Sequence, residues 1–345
     1  MNLKRTIGLI LVIAGVILGV SKALGSDTQS GDWTIRRSDI PGRVEFSLMD
    51  SRAGHHFHTS SDWPASDFSG LDFSKAGRQE VHFTIARDAG KFECEGFLHD
   101  GEGAGLFHFT ADPRYLEEMS SLGFGGIDGD KQWAMAIHDV RLKFARDIKA
   151  KNLQSLDTDK LIAFKIHGVT PEFIEGIRAA GVNVSESDKL IAFRIHGVSP
   201  EFISGIRSAG LNVNVLDGDK LIAFRIHGVT PEMVANLKQA GYDPDPDKLI
   251  AMRIHGATPE WLAELKKQGY EHLDLDKLIA FRIHGVSPDF IGQLQKLGYA
   301  HPEPDQLIAM RIHGVTPDFI TGLQSRGMKN LSIDQLVSLR IHGID

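Results

Sequence analysis

One ten-residue pattern recurs through the C-terminal part of this 345-residue chain and constrains its fold more than any other feature. A clear copy is Lys-Leu-Ile-Ala-Phe-Lys-Ile-His-Gly-Val, which begins at Lys160. Eight copies share a histidine in one register, at His138, His167, His196, His227, His255, His284, His313 and His342. Successive register histidines lie 28 to 31 residues apart. This period is typical of a solenoid, in which each short unit buries its apolar face only against its neighbours.

The sequence of each unit predicts two short helices. The first helix begins at a Thr-Pro-Glu type sequence such as Thr170-Pro171-Glu172, which combines an N-cap, a proline at the first position and an early acid. A glycine such as Gly181 ends it, because glycine adopts the left-handed conformation of a helix C-cap. The second helix runs from a cap such as Asp157 to the register histidine. A buried strand over Leu-Ile-Ala-Phe-Arg-Ile is the alternative, but the caps favour helix. Residues 111–345 therefore predict an α-solenoid of about eight helix pairs of roughly 29 residues each.

Repeated polar residues are expected to have structural roles. The register histidines can donate hydrogen bonds to the carbonyl groups at the ends of the second helices. When protonated, they also interact favourably with the negative end of the helix dipole. A metal ladder is the alternative, but equivalent residues on stacked helices lie about 8–10 Å apart, too far to share one zinc ion. A cation lies two residues before most register histidines, as Lys165, Arg194, Arg225, Arg253, Arg282, Arg311 and Arg340. An acid such as Glu172 lies five residues after most of them, which predicts a ladder of ion pairs.

Other positions on the first helices differ from unit to unit, and these are the candidates for contact with a partner. We assign Glu175, Arg178, Ser204, Asn236, Lys266, Gln293 and Gln324 to this group.

Residues 26–110 predict a small antiparallel β domain. Apolar and polar residues alternate over 44–48, 81–85, 92–97 and 106–109, and glycine-containing turns separate the later runs. We expect a meander folded as a small sandwich or curled sheet, with Trp33 and Trp63 in its core. The fold class is therefore α+β.

Histidines make this β domain a candidate metal site. If 55–58 is a strand, His56 and His58 share a face, and His82 or His108 could supply a third zinc ligand. Exposed histidines on a polar strand or loop are the alternative, and no cofactor is otherwise indicated.

Residues 1–25 predict a signal peptide or a single membrane anchor. Two basic residues precede an apolar run that is long enough for either. In both cases the rest of the chain lies outside the cytoplasm, membrane-bound or, after cleavage, secreted or periplasmic. The net charge of -7 argues against nucleic-acid binding, and the single cysteine, Cys94, excludes an internal disulfide framework.

The Ile-His-Gly-Val-Thr-Pro repeats resemble a tail on bacterial membrane proteins of the beta-lactam-sensing, antirepressor metallopeptidase type. The preceding segment, from Gly-Lys-Phe-Glu-Cys-Glu-Gly to Phe-His-Phe-Thr, is similar to that tail as well, so the resemblance covers roughly residues 80–345. It implies a location in the cell envelope and a part in signalling. The zinc-binding helix of the peptidase, with its His-Glu-x-x-His motif, is missing from this sequence.

These patterns predict a non-catalytic scaffold or sensor module that binds a protein partner in the bacterial cell envelope through its helical repeats. Two alternatives remain. One is a metal-binding protein or enzyme centred on the His-rich β domain, and the other is a ligand-sensing regulator of an envelope or antibiotic response. The sequence contains no catalytic motif of the common hydrolase, nucleotide-binding or metallopeptidase types.

Overall fold

A computed structural model of the protein describes residues 29–52, 55–213 and 216–344, and it has the α+β class predicted from the sequence. The described chain divides into two compact units. The β unit contains the residues up to Arg114 together with Asp128–Ala136, and the repeat unit contains Tyr115–Ile127 and the residues from Ile137 onward. Residues 128–136, which the sequence placed with the repeats, thus group with the sheet.

Six antiparallel strands form the sheet of the β unit. They are β1 (Gln29–Arg37), β2 (Arg43–Arg52), β3 (His55–Pro64), β4 (Arg78–Arg87), β5 (Gly90–His99) and β6 (Glu102–Ala111), in the spatial order β3-β2-β1-β6-β5-β4. Pairing of β1 with β6 joins two three-stranded meanders. The alternation of apolar and polar residues in the sequence had indicated only β2, β4, β5 and β6.

The sheet curls around an aromatic core. Three strands separate β3 from β5 in the sheet, yet the ring centroids of Trp63 on β3 and Phe92 on β5 are only 6.1 Å apart. Trp33 is fully buried and Trp63 is 4 % exposed, so both tryptophans fill the core as predicted. Trp133, from helix α2 (Gly129–Ile137), stacks on Phe107 at 5.5 Å and covers one side of this core.

The repeat unit is a two-layer stack of short helices. One layer contains the first helices, α3 (Leu142–Lys149), α5 (Pro171–Ala179), α7 (Pro200–Ser208), α9 (Pro231–Gln239), α11 (Pro259–Lys267), α13 (Pro288–Lys296) and α15 (Pro317–Ser325). The other contains the second helices, α4 (Thr158–His167), α6 (Ser187–His196), α8 (Gly218–His227), α10 (Pro246–Ile254), α12 (Leu275–His284), α14 (Pro304–Ile312) and α16 (Ile333–Ile341). Each helix packs against the equivalent helix of the next unit, and α1 (Pro113–Ser121) precedes the stack.

The helix ends lie where the capping residues predict. The Asp157 carboxylate accepts a hydrogen bond from the Lys160 amide, and the Thr170 hydroxyl accepts one from the Phe173 amide. Gly168 has a φ of 70°, which only glycine adopts without strain. Glu186 is an exception, because its side chain makes no capping bond.

Stacking buries one continuous seam between the two layers. Leu161 and Phe164 of α4 are fully buried, and so are Ile174 and Ile177 of α5. Helices of eight to ten residues are marginal in isolation, so contacts between units must hold the array together.

In the part of the chain that the structure describes, none of the helices has the length and apolar character needed to cross a membrane. The signal peptide or anchor predicted for residues 1–25 lies outside the described residues.

Candidate binding surfaces

The repeated arginines connect each second helix to the unit before it. Arg282 donates from Nε to the carbonyl oxygen of His255 at 2.8 Å, and its guanidinium carbon lies 5.2 Å from the centre of the Trp261 ring. The same donation, at 2.8 to 3.4 Å, is made by Arg194, Arg225, Arg253, Arg282 and Arg311. Arg340 stacks in the same way on Phe319, at 4.8 Å. The arginines therefore satisfy a helix-end carbonyl that its own helix leaves without a partner.

The predicted pairing of these arginines with the repeated acids is wrong. Glu172 binds instead at the start of its own helix, where hydrogen bonds from its backbone amide and from Thr170 hold its pKa below the usual value. Glu260 behaves in the same way with Thr258. These acids act as part of the N-terminal cap, which leaves the arginines to bind the neighbouring unit.

A ladder of ion pairs does link the second helices, but it uses other residues. The pairs are Lys160–Asp188, Lys189–Asp219, Lys220–Asp247, Lys248–Asp276 and Lys277–Asp305. The aspartate side chains are 71–79 % exposed and the lysines 25–36 %, so carboxylates dominate this edge. Hydrogen bonding to Asp247 raises the pKa of Lys220. Exposed pairs of this kind add little stability each.

The register histidines contribute mainly through their backbone, because their carbonyls are the acceptors for the arginines. In addition, Nδ1 of the His342 imidazole lies 2.8 Å from the carbonyl oxygen of Ser338. His138 is half-buried, and burial together with the nearby Lys165 charge lowers its pKa. After α2, the residue that follows His138 in the left-handed conformation is Asp139 rather than a glycine.

The candidate residues on the first helices fall into two groups. Glu175, Ser204, Asn236 and Lys266 are exposed. Arg178, Gln293 and Gln324 are half-buried. Arg178 donates from Nη2 to the Lys151 carbonyl oxygen at 2.8 Å, so it joins two units as the arginines of the second helices do. The four exposed residues differ in charge and shape, and they form a varied surface on a regular frame.

An exposed apolar row on the second helices was not predicted. One residue before the register histidine, every unit from α4 to α16 carries an isoleucine with 52–58 % of its surface exposed: Ile166, Ile195, Ile226, Ile254, Ile283, Ile312 and Ile341. We call these seven residues the isoleucine stripe. Ile162 lies one turn earlier on the same face of α4 and is half-buried. The sequence could have shown the stripe, since leucine and phenylalanine already account for the buried face of each helix.

The histidines of the β unit lie on different parts of the sheet. His58 is on the edge strand β3, opposite Met49, and His82 is on the other edge strand, β4, opposite Glu95. His108 is on β6, opposite Glu93. His56 is on β3, opposite Ser51. Among the described residues, no three His, Cys, Asp or Glu side chains are grouped to hold a metal ion.

A shallow depression of about 950 Å³ lies on the outer face of this sheet, lined by His82, Glu93, Glu95, Leu106 and His108 among others. Cys94 lies beneath it with a buried thiol whose pKa is raised by burial. The surface carries acids and imidazoles side by side but is open to solvent.

No family model, curated protein or solved structure matches this chain. The resemblance to the tail of antirepressor-type membrane proteins therefore stays a prediction.

Proposed function

We propose that this protein is a non-catalytic binding scaffold or sensor module of the bacterial cell envelope, and that it recognises a protein partner through the exposed face of its first helices. The observation that carries this proposal is the contrast within each first helix. The position of Ile177 is apolar and buried in every unit, whereas exposed positions such as those of Ser204 and Asn236 change from unit to unit. A regular frame that presents varied side chains is typical of solenoids that bind proteins.

The repeated contacts between units make this face suitable for recognition. Arg178 and Arg207 each tie a first helix to the end of the preceding one by donating to the Lys151 and Ala180 carbonyl oxygens. Side chains held on a preorganised frame lose less conformational entropy on binding than side chains on a mobile loop.

The test is site-specific photo-crosslinking in cells. A photoreactive residue replaces Ser204 or Asn236 in the full-length chain, and a matched control carries it at the exposed Asp305 of the second-helix layer. We expect one and the same partner at positions 204 and 236, and its loss when Lys266→Glu is added. The absence of a shared partner, or equal capture of that partner at position 305, would contradict the proposal. Identification of the partner then distinguishes a signalling role from a role in wall assembly.

A further inference from the structure

The fold of a single chain leaves most of the isoleucine stripe uncovered. Each of its seven members has more than half of its surface exposed, while Leu161 and Phe164 and their equivalents already fill the seam between the layers. At this exposure an isoleucine leaves roughly 100 Å² open, so the stripe amounts to about 700 Å², whereas the apolar patches of monomeric proteins rarely exceed a few hundred Å². A patch of this size marks a binding surface.

We propose that the stripe binds the stripe of a second copy of this chain, in a twofold-symmetric dimer whose second-helix layers pack face to face. This proposal does not depend on the first-helix surface described above. Three features of the stripe identify the occupant: its period, the charges along its two edges, and its area.

The period requires a partner with matching periodicity. Equivalent residues of adjacent units are spaced by about one interaxial distance, roughly 8–10 Å. A partner that covers seven such residues must present apolar groups at the same spacing over the same length. A second array of these units does so without any adaptation.

The charged edges are complementary to each other. The exposed carboxylates of the Lys–Asp ladder, such as Asp247, lie at the N-terminal ends of the second helices, and arginines such as Arg253 lie at the C-terminal ends with the register histidines. Asp247 is 76 % exposed and Arg253 is exposed as well. When two copies meet, antiparallel facing helices bring the acidic edge of one opposite the basic edge of the other, whereas parallel facing helices bring like charges together.

This charge rule also fixes the order of the units. All second helices run in the same direction along the layer, because the ion pairs join their N-terminal ends. A twofold axis along the stack makes facing helices antiparallel and places each unit opposite the same unit of the other copy. Ile254 then faces the Ile250–Ile254 turn of its counterpart. The other twofold, along the helices, would reverse the order of the units and place Ile195 opposite Ile312.

The area is sufficient for a specific dimer. A standard interface buries about 800 Å² on each partner. The stripe alone supplies most of this, and the half-buried isoleucines one turn earlier, such as Ile250, supply more. Isologous contact of one patch with itself is the usual arrangement in homodimers.

Cysteine crosslinking in the full-length chain tests both the partner and the order. Cells that produce Ile254→Cys, Ile195→Cys or Ile312→Cys are treated with a short bis-maleimide. The parent chain is the control for Cys94, whose buried thiol should not react. We expect each variant to form a crosslinked dimer with itself, and we expect Asn236→Cys, on the other layer, to form none.

Three results would overturn the proposal. A crosslink that forms between Ile195→Cys and Ile312→Cys, but with neither variant alone, would show the reversed order. Ready labelling of Ile254→Cys by a monofunctional maleimide without a crosslink would show a free surface. Protection from that reagent without a crosslinked dimer of this chain, or a crosslink to another protein, would assign the stripe to a different occupant, such as a lipid surface or another protein.

A second measurement uses the mass of the purified full-length protein in a nonionic detergent. The triple variant Ile226→Ser, Ile254→Ser and Ile283→Ser should weaken the dimer by at least about tenfold, while its far-ultraviolet circular dichroism stays that of the folded parent. Leu106→Ser is the matched control, since Leu106 is an equally exposed apolar residue of the β unit at 49 %. An unchanged dimer in the triple variant would overturn the proposal.

Discussion

Two glycine substitutions isolate the contribution of one arginine to the cohesion of the repeats. Gly256 and Gly241 both adopt positive φ, 71° and 88°, and both follow a helix inside the array. A Cβ at Gly256 would lie 2.7 Å from Arg282 Nη2, whereas a Cβ at Gly241 would meet nothing within 4 Å. Gly256→Ala therefore adds a steric conflict to the backbone strain that both alanine variants share.

The two costs follow from these contacts. The left-handed conformation costs roughly 1–2 kcal/mol for a residue with a Cβ, and this is the whole effect at Gly241. At Gly256 the guanidinium must also move away from the His255 carbonyl oxygen and from the Trp261 ring. A hydrogen bond from a charged group contributes about 1.5–3 kcal/mol and an exposed cation–π contact about 0.5–1 kcal/mol, and partial loss of both adds about 1–2 kcal/mol. We expect Gly256→Ala to lose about 2–4 kcal/mol and Gly241→Ala about 1–2 kcal/mol.

Urea unfolding followed by circular dichroism gives both values, and a mutant cycle assigns the difference. In an Arg282→Ala background the two glycine substitutions should cost the same, because the conflicting side chain is absent. Equal costs in the parent chain, or a difference that persists without Arg282, would refute the account of the arginine contact. The slope of the transition is the check on cooperativity, since arrays of repeats can unfold in steps.

Three smaller predictions follow from single contacts. Asp217→Ala should lower the free energy of unfolding by about 1 kcal/mol and Glu186→Ala by less than about 0.5 kcal/mol, because only Asp217 caps its helix with its side chain; urea midpoints compare them. Burial raises the pKa of the Cys94 thiol, so a disulfide reagent at pH 8 should react with the protein in urea and not with the native protein; rapid native reaction would contradict the buried position. His138 has a lowered pKa in the folded chain, so the unfolded chain takes up the proton first and stability falls as the pH drops below about 6.5. His138→Gln should flatten this part of the pH profile, and an unchanged slope would assign it to other groups.

The helix boundaries could be predicted from the sequence because single residues determine them. Thr170 and Pro171 set the start of α5, and Gly168 sets the end of α4, each through local backbone geometry. The chain repeats these signals in every unit, so an error at one position would have been visible at the next. The same applies to the left-handed Asn152, which replaces glycine in its unit.

The partners of the arginines could not be read from spacing alone. Several acids lie within a few residues of each register histidine, and charge by itself did not distinguish Glu172 from Asp188. The structure shows that Lys160 reaches Asp188 across the layer, whereas Glu172 folds back onto the end of its own helix. Which groups meet depends on the offset between stacked units, which is a property of tertiary packing.

The sequence left β3 open, as either a strand or a loop around residues 55–58, for a related reason. Its ten residues, His55–Pro64, are mostly polar, and Trp63 is the buried residue among those whose burial the structure describes. A strand at the edge of a curled sheet needs few apolar residues, because one large side chain packs across the curl. Strand β1, which lies on the other side of β2, is similarly sparse, with Trp33 and Ile35 as its buried apolar residues.

The isoleucine stripe and the first-helix surface obey opposite rules, and this contrast bears on what each surface does. At buried positions such as Leu221 and Phe224 the repeated identity is explained by packing within the seam. At exposed positions of the first helices there is no such demand, and equivalent residues differ between units, as Glu175 and Ser204 do. The stripe is exposed and yet isoleucine in all seven units, so packing within one chain does not account for its uniformity. A partner that contacts every unit in the same way does account for it, because only then must every unit meet the same chemical requirement. A partner that binds the first-helix surface contacts a different residue in each unit. Its contacts therefore need to extend over no more than a few units.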